Sequence, residues 1–380
     1  MYDTLIKNVV LKETKAGRGT LSSVGILDGK IAEILTGSSA EQADARLVID
    51  AEGNLLLPGL VDFHTHLFRH GSSFGMDADL LLSAGVTAAA DMGSAGWVNF
   101  PAMYCCDLSG KKPLLRAYLN ISPVGQPGRG IREPLNDEVI SLEDIRRVPE
   151  EYPGMICGLK VRLSRGIVGS LGLGPLHRAV ELGDVLGLPV CVHATDPPET
   201  MDRIAALLRP GDILSHTYHG QGHSAAESDA ILEGMLAARE RGVLLEVGNG
   251  SKNFNFRTAE ACLRYGLFPD IISSDSTPAV FHQGPAMWDL PRVMSKFLNL
   301  GMPFEDVVRA AAETPARVLG LDAQTGKIAP GYEADLALFH MDPKEIIFCD
   351  SDGNTRKGPR GLVPFMTFLH GQKVWDAKAS

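Results

Sequence analysis

Along the middle of the chain, short β-forming apolar runs alternate with stretches of helical spacing. The runs read GLVDFHT (59–65), GVTAAAD (85–91), LLRAYLNI (114–121), ICGLKVRL (156–163), LPVCVHA (188–194), DILSHTY (212–218), GVLLEVG (242–248) and DIISSDS (270–276). Most are followed by a helical pattern: DADLLLSAG, LEDIRRVPEEY, PLHRAVELGDVLG, ETMDRIAALLRP, SAAESDAILEGMLAARERG, RTAEACLRYG and LPRVMSKFLNLG, while 92–113 has no clear period. Strands alternating with helices predict parallel pairing. Eight such units over roughly 250 residues fit a (β/α)8 TIM-like barrel. A doubly wound open sheet would alternate in the same way. The barrel is preferred because polar residues sit at the C-terminal ends of many different runs, where a barrel gathers its active site.

The two ends of the chain have another texture. Residues 1–57 hold TLIKNVVL, SSVGILDG, KIAEILTG and RLVIDAEGNLLLP, and residues 324–380 hold QTGKIAPGYEADLALFH and TFLHGQKVWD. Both are rich in strands and turns, and Asp28-Gly29 is a tight-hairpin signal. Neither end is large enough for a comfortable core of its own. The expectation is one small β-sandwich domain built from 1–57 plus 324–380, beside a barrel over 58–323.

Composition narrows the classes. Apolar residues make up 44% and charged residues 22% of 380, as in soluble enzymes. A net charge of −10 argues against nucleic-acid binding or an anionic membrane surface. MYDTLIKNVVLKE lacks a signal-peptide pattern, and no apolar run is long enough to span a bilayer. The six cysteines form no C-x-x-C pair and most lie in or near apolar stretches, so the compartment reads as reducing, hence cytoplasmic. Homo-oligomers are frequent for barrels, but no feature sets a number.

The chemistry gathers at the strand ends. Residues i and i+2 of a strand share a face, so His64 and His66 should stand together over one space. Lys160, His193, His216 and Asp275 end four other strands, and in a barrel all six converge on one mouth. Lys160 is the anomaly. If it faces inward with Ile156 and Gly158, it is a lysine in the barrel interior, where burial beside cations favours the neutral amine. Such an amine adds carbon dioxide to give an anionic, bidentate carbamate. The other register turns Leu159 inward and sets Lys160 against a helix.

PGLVDFHTH, GLKV, VCVHA, ILSHTYHG and IISSDS, with the tail AAAETPARVLGL…GKIAPGYEADLALF, resemble the amidohydrolase superfamily over essentially the whole chain. Within it the chain is similar to the dihydroorotase-like branch and its amidohydrolase/deacetylase group. The resemblance implies two divalent metal ions. His64 and His66 match ligands of the more buried ion, and His193 and His216 match those of the second. Lys160 matches a carboxylated lysine bridging both, and Asp275 an aspartate that binds the first ion and handles protons. Zn²⁺ suits these donors, and Mn²⁺ or Fe²⁺ could take the same places. A water shared by two metals is acidified from about 15.7 toward 7 and attacks a carbonyl, with Asp275 carrying the proton to the leaving atom. The resemblance departs at the loop after strand seven, which holds Asn249 where relatives often carry a histidine.

The expected activity is hydrolysis of an amide or ester, removing an acyl group such as acetyl from a small carboxylate-bearing molecule. A cyclic-amide hydrolase of the dihydroorotase or hydantoinase kind is the alternative, and a metal-free scaffold a minor one. Arg129 and Arg132, in the loop after strand three, are candidate carboxylate anchors. His219, Asn249 and Lys252 are further candidate substrate contacts, with His223 and Asn253 beside them. No serine-hydrolase or P-loop signature is present.

Overall fold

The computed structural model describes residues 1–14, 17–18, 21–128, 130–227, 230–342 and 344–379. Seven strands, Leu60–Thr65, Val86–Met92, Leu114–Asn120, Ile156–Arg162, Val190–His193, Ile213–Ser215 and Leu244–Leu245, lie side by side in chain order, all parallel. The eighth run, 270–276, joins both free edges. Ile271 bridges Glu246 and Ser276 bridges Thr65, each in parallel. Asp275 N donates to His64 O at 2.8 Å and Asn249 N to Ser273 O at 3.2 Å, so the sheet closes on itself.

Strand alternation sorts the side chains. Leu159, Val161, Val190, Val192, Leu214, Leu245 and Ile272 face the helices within the main core. Ala88, Ala90, Met92, Tyr118, Cys191, Ile213 and Ile271 fill the interior, closed off by Ala316, Leu319 and Leu321. Lys160 follows the interior register, with Cys191 as a neighbour, which decides between its two expected orientations. Strand one breaks the alternation. Val61 and Phe63 belong to the interior layer, and pairing with strand two slips between Asp62 and Thr65. At and just past the slip, His64 and His66 stand with ring centroids 5.6 Å apart.

Helices Leu142–Glu151, Gly174–Leu186, Met201–Leu207, Phe256–Arg264 and Leu290–Asn299 fall where the spacing predicts them. Two segments differ. DADLLLSAG forms a 3₁₀ helix, Ala78–Ala84, stopped by Gly85 in the left-handed region. Within 224–242 the helix is only Glu233–Glu240, because Ala226–Glu227 and Ala230–Ile231 pair antiparallel ahead of it. Ser228 and Asp229, inside the same predicted helix, lie outside the described residues.

Eight terminal strands form one continuous sheet, while Ile346–Cys349 with Thr355–Gly358 and Glu13–Thr14 with Gly17–Arg18 are separate two-stranded ribbons. The order of the large sheet is Gln372–Asp376, Gly361–Leu369, Leu336–Asp342, Leu55–Pro58, Tyr2–Val10, Leu21–Leu27 and Lys30–Thr36, with Ala45–Asp50 also on Tyr2–Val10. Two packed sheets, as the sandwich expectation requires, are not seen among the described strands. Leu55–Pro58 links both ends, pairing with Leu336–Asp342 and at Val10 with the first strand. Asp28 and Gly29 both take positive φ, 50° and 77°, as the predicted Asp-Gly hairpin demands.

Candidate metal centre

His64, His66, Lys160, His193, His216 and Asp275 all line one cavity of 860 Å³ at the C-terminal mouth of the barrel. Each imidazole is fixed by a protein partner. His216 Nδ1 lies 2.8 Å from the Gly248 carbonyl, so it carries the proton and Nε2 is a bare lone pair. That Nε2 is buried and has no hydrogen-bond partner among the described residues. Ser164 Oγ donates to Thr195 O at 2.8 Å, so His193 Nε2 is the donor in its 2.9 Å contact with Ser164. This leaves His193 Nδ1 as the free donor atom, with the His193 and His216 rings 4.4 Å apart. His64 Nδ1 meets Glu246 Oε1 at 3.3 Å, and its Nε2 lies 3.6 Å from Asp275 Oδ1. His66 Nδ1 meets Ser94 Oγ at 2.8 Å, and its Nε2 lies 3.2 Å from the same Asp275 oxygen.

The fields agree with this geometry. Burial, joined by the Lys160 charge, lowers the His64 imidazole. Burial and the neighbouring His64 bring His216 down to about 3, and burial takes His193 well below its ordinary value. Burial raises Asp275, but His64 and a hydrogen bond from His66 outweigh it and hold the carboxyl well below the usual range. Lowered imidazoles at His64, His193 and His216 beside a lowered Asp275 carboxyl favour the deprotonated forms that metal ligation requires.

Backbone strain marks the same spot. His216 and Asp275 take φ of 62° and 55°, in the left-handed region that side chains rarely enter. Gly248 makes room for one of them, since a Cβ there would come within 2.5 Å of His216 Nδ1. Asn253 Nδ2 donates to Asp275 Oδ2 at 2.8 Å and fixes the carboxylate from the other side.

Glu246 escaped the sequence reading. It is fully buried on strand seven, takes the Ser273 hydroxyl, and faces His64 Nδ1 and the His216 backbone N–H. Burial raises its carboxyl, but the nearby His64 and His216 imidazoles more than offset this, leaving it at about 2. A glutamate inside the apolar run GVLLEVG was the available signal, by the logic that singled out Lys160.

The expected substrate contacts fare unevenly. Lys252 and Asn253 line the cavity. Arg132 is exposed and not in the cavity wall, and Arg129 lies outside the described residues. Asn249 is turned away from the cavity, accepting from Lys296 Nζ at 2.8 Å and donating to Ala286 O at 3.1 Å. His219 is also buried off the cavity, its Nδ1 accepting the Gln221 N–H at 3.1 Å. Both positions are interior because the backbone folds back there, which spacing does not reveal.

A family model described as "Amidohydrolase family" matches residues 55–359. The chain belongs to the amidohydrolase family. It is 33% identical to deacetylase Atu3266 of Agrobacterium fabrum over 97% of this chain and 91% of that protein. A crystal structure titled as an adenine deaminase matches with a TM-score of 0.89 and 28% identity, over 99% of this chain and 100% of that one. Another, titled as a dihydroorotase, matches with a TM-score of 0.87 and 30% identity, over 98% and 99%. The chain is a hydrolase, and the family uses divalent metals.

The residues present fit such ions. The bare, sealed Nε2 of His216 lacks a partner that a cation would supply. His64 stands between two carboxylates, Glu246 Oε1 at Nδ1 and Asp275 Oδ1 at Nε2, so a neutral ring can donate to only one and leaves a bare nitrogen facing the other, an arrangement a cation resolves. The donor atoms of His64, His66 and Asp275 lie within 4.8 Å of one another, as do those of His64, His216 and Glu246. Among the described residues Lys160 Nζ has one protein partner, Cys191 Sγ at 3.6 Å, a weak acceptor for a buried amine.

Proposed function

We propose that the protein is a dinuclear metal-dependent deacylase that removes an acyl group, such as acetyl, from a small N-acyl or O-acyl carboxylic acid. The observation that carries this reading is the convergence of six side chains from strands one, four, five, six and eight on one cavity. His64, His66 and Asp275 would hold one ion and His193 and His216 the other. Lys160, as a carbamate formed by N–C bonding to carbon dioxide with loss of one proton, would lie between them. When bound, the ions, with Zn²⁺ suited to these donors, would polarise the scissile carbonyl and acidify a water.

The chain's own groups do the rest. Asp275 Oδ1 is turned to the imidazoles, so Oδ2 is the oxygen left to take a proton from the attacking water. It returns that proton to the leaving nitrogen or oxygen. Asn253 holds Oδ2 in place for this task. In this reading the barrel over 58–323 carries all six residues, and the β domain of 1–57 plus 324–380 carries none. Six free thiols support a reducing, cytoplasmic setting.

The acyl-removing reading is supported by the likeness to the Agrobacterium deacetylase. The dihydroorotase title on a structure at 30% identity supports a second reading, cyclic-amide hydrolysis. The test is a metal-loaded assay of acetate release from N-acetyl and O-acetyl acids of both hands, run beside dihydroorotate and hydantoins. Acetate release with a preference for one hand is expected. Ring opening without acetate release would replace the first reading by the second.

A further inference from the structure

The loop after strand three was expected to carry a carboxylate anchor, yet the residue it sends inward is acidic. Glu133, with a side chain 6% exposed, pairs with Arg162 Nη1. Arg162 lies two residues beyond Lys160 on strand four, so both face the interior. It pairs in register with His193 and lines the cavity. The register with His193 and the shared cavity wall set the pair beside the metal centre.

Two other non-histidine cations line the cavity among the described residues, Lys160 and Lys252. Lys160 belongs to the ligand set. Lys252 is exposed, a point charge on a mobile four-carbon stem. Arg162 is different: its side chain is 19% exposed and held in place by Glu133. Among the described residues, Nη1 to Glu133 is the one hydrogen bond made by a guanidinium with five N–H groups, and Nε is sealed without an acceptor. A fixed, under-satisfied guanidinium in a cavity wall lacks an acceptor that a ligand would bring.

We propose that Arg162 is the specificity-determining residue of this site, anchoring a carboxylate of the substrate, with Glu133 as its positioning partner. The inference rests on the deacylase reading and adds to it the group that selects acids over neutral amides. A carboxylate on Arg162 lies beside His193, which sets the neighbouring acyl group over the imidazoles. With Nη1 on Glu133 and Nε sealed, Nη2 is the donor left for the carboxylate, in a plane that Glu133 fixes, and lysine has no such fixed second donor.

The experiment compares wild type, Arg162→Gln, Arg162→Lys and Glu133→Gln, all metal-loaded, on N-acetyl amino acids and their C-terminal amides. Wild type should prefer the acid. Arg162→Gln should lose about thirtyfold or more in kcat/KM on the acid, mainly through KM, and little on the amide. Arg162→Lys should recover only part of the loss, and Glu133→Gln, which still accepts from Nη1, should keep the preference. Benzoate binding by calorimetry on the same holoenzymes gives a readout independent of turnover, and Arg162→Gln should weaken it at least tenfold. Equal losses on acid and amide with unchanged benzoate binding and metal content would overturn the proposal. If wild type releases no acetate, the deacylase reading fails, while benzoate binding still decides whether Arg162 holds a carboxylate.

Discussion

Two lysines are buried to 1% exposure, one at the end of strand four and one in the helix Leu290–Asn299 behind strand seven. Lys296 is fully served. Its Nζ donates to Asn249 Oδ1 at 2.8 Å and to the Ala286 carbonyl, and sits 4.7 Å over the Phe254 ring. Lys160 has one sulfur at 3.6 Å and a cavity in front of it. Burial is therefore not what marks a functional lysine. The mark is a donor left unmet where a ligand can reach it, since natural interiors satisfy their polar groups unless something else is to bind.

The largest effect should separate these two lysines directly. Lys160→Ala should drop metal content to one ion or fewer per chain and lower kcat/KM by about a thousandfold or more. Lys296→Met should keep both ions and lose less than about tenfold. Elemental analysis beside kinetics decides, and full activity in Lys160→Ala ends its bridging role. Asp275→Asn comes next, with a loss of about 10²–10⁴ in kcat expected if it moves the proton. Glu246→Gln should weaken metal affinity by about 10–100-fold, because Glu246 orients His64 from behind. Titration against a competing chelator measures it, and unchanged affinity would reduce Glu246 to a packing role.

Lys296 leaves a smaller signature in stability. Burial lowers its ammonium to about 7, whereas an unfolded lysine titrates near about 10.4. Between those values the unfolded chain binds more protons, so stability rises as pH rises through the window. Below it the penalty is constant and fully present. Lys296→Met removes this component, so denaturant melts should show the wild-type-minus-variant stability difference growing by a few kcal/mol from neutral to alkaline pH. A flat difference would mean that the folded amine keeps its proton through this window as an unfolded lysine does, so that burial does not lower it. The smallest effect belongs to Arg132→Ala, which should change kcat/KM by less than about twofold because the side chain is exposed outside the cavity.

Much of this site was legible in the chain. The strand period places His64, Lys160, His193, His216 and Asp275 at strand ends, and parallel strands closed in a ring send those ends to one mouth. The lysine in ICGLKVRL was recognisable because a charge in an apolar strand requires a reason. Glu246 obeys the same rule, yet its meaning depends on His64, 182 positions away in sequence. Arg132 and Glu133 are neighbours, and only the path of the loop decides that the acid goes in and the arginine out.

By itself the sequence determined periodicity: which runs are strands, which faces are apolar, where ionisable groups interrupt them. Those are local properties, set by backbone geometry within a few residues. The tertiary structure decided pairing: which imidazole nitrogen is left bare, which buried amine is satisfied, which arginine meets the cavity. These depend on atoms brought within a few ångströms from distant segments, and hydrogen bonding and burial act only at that range.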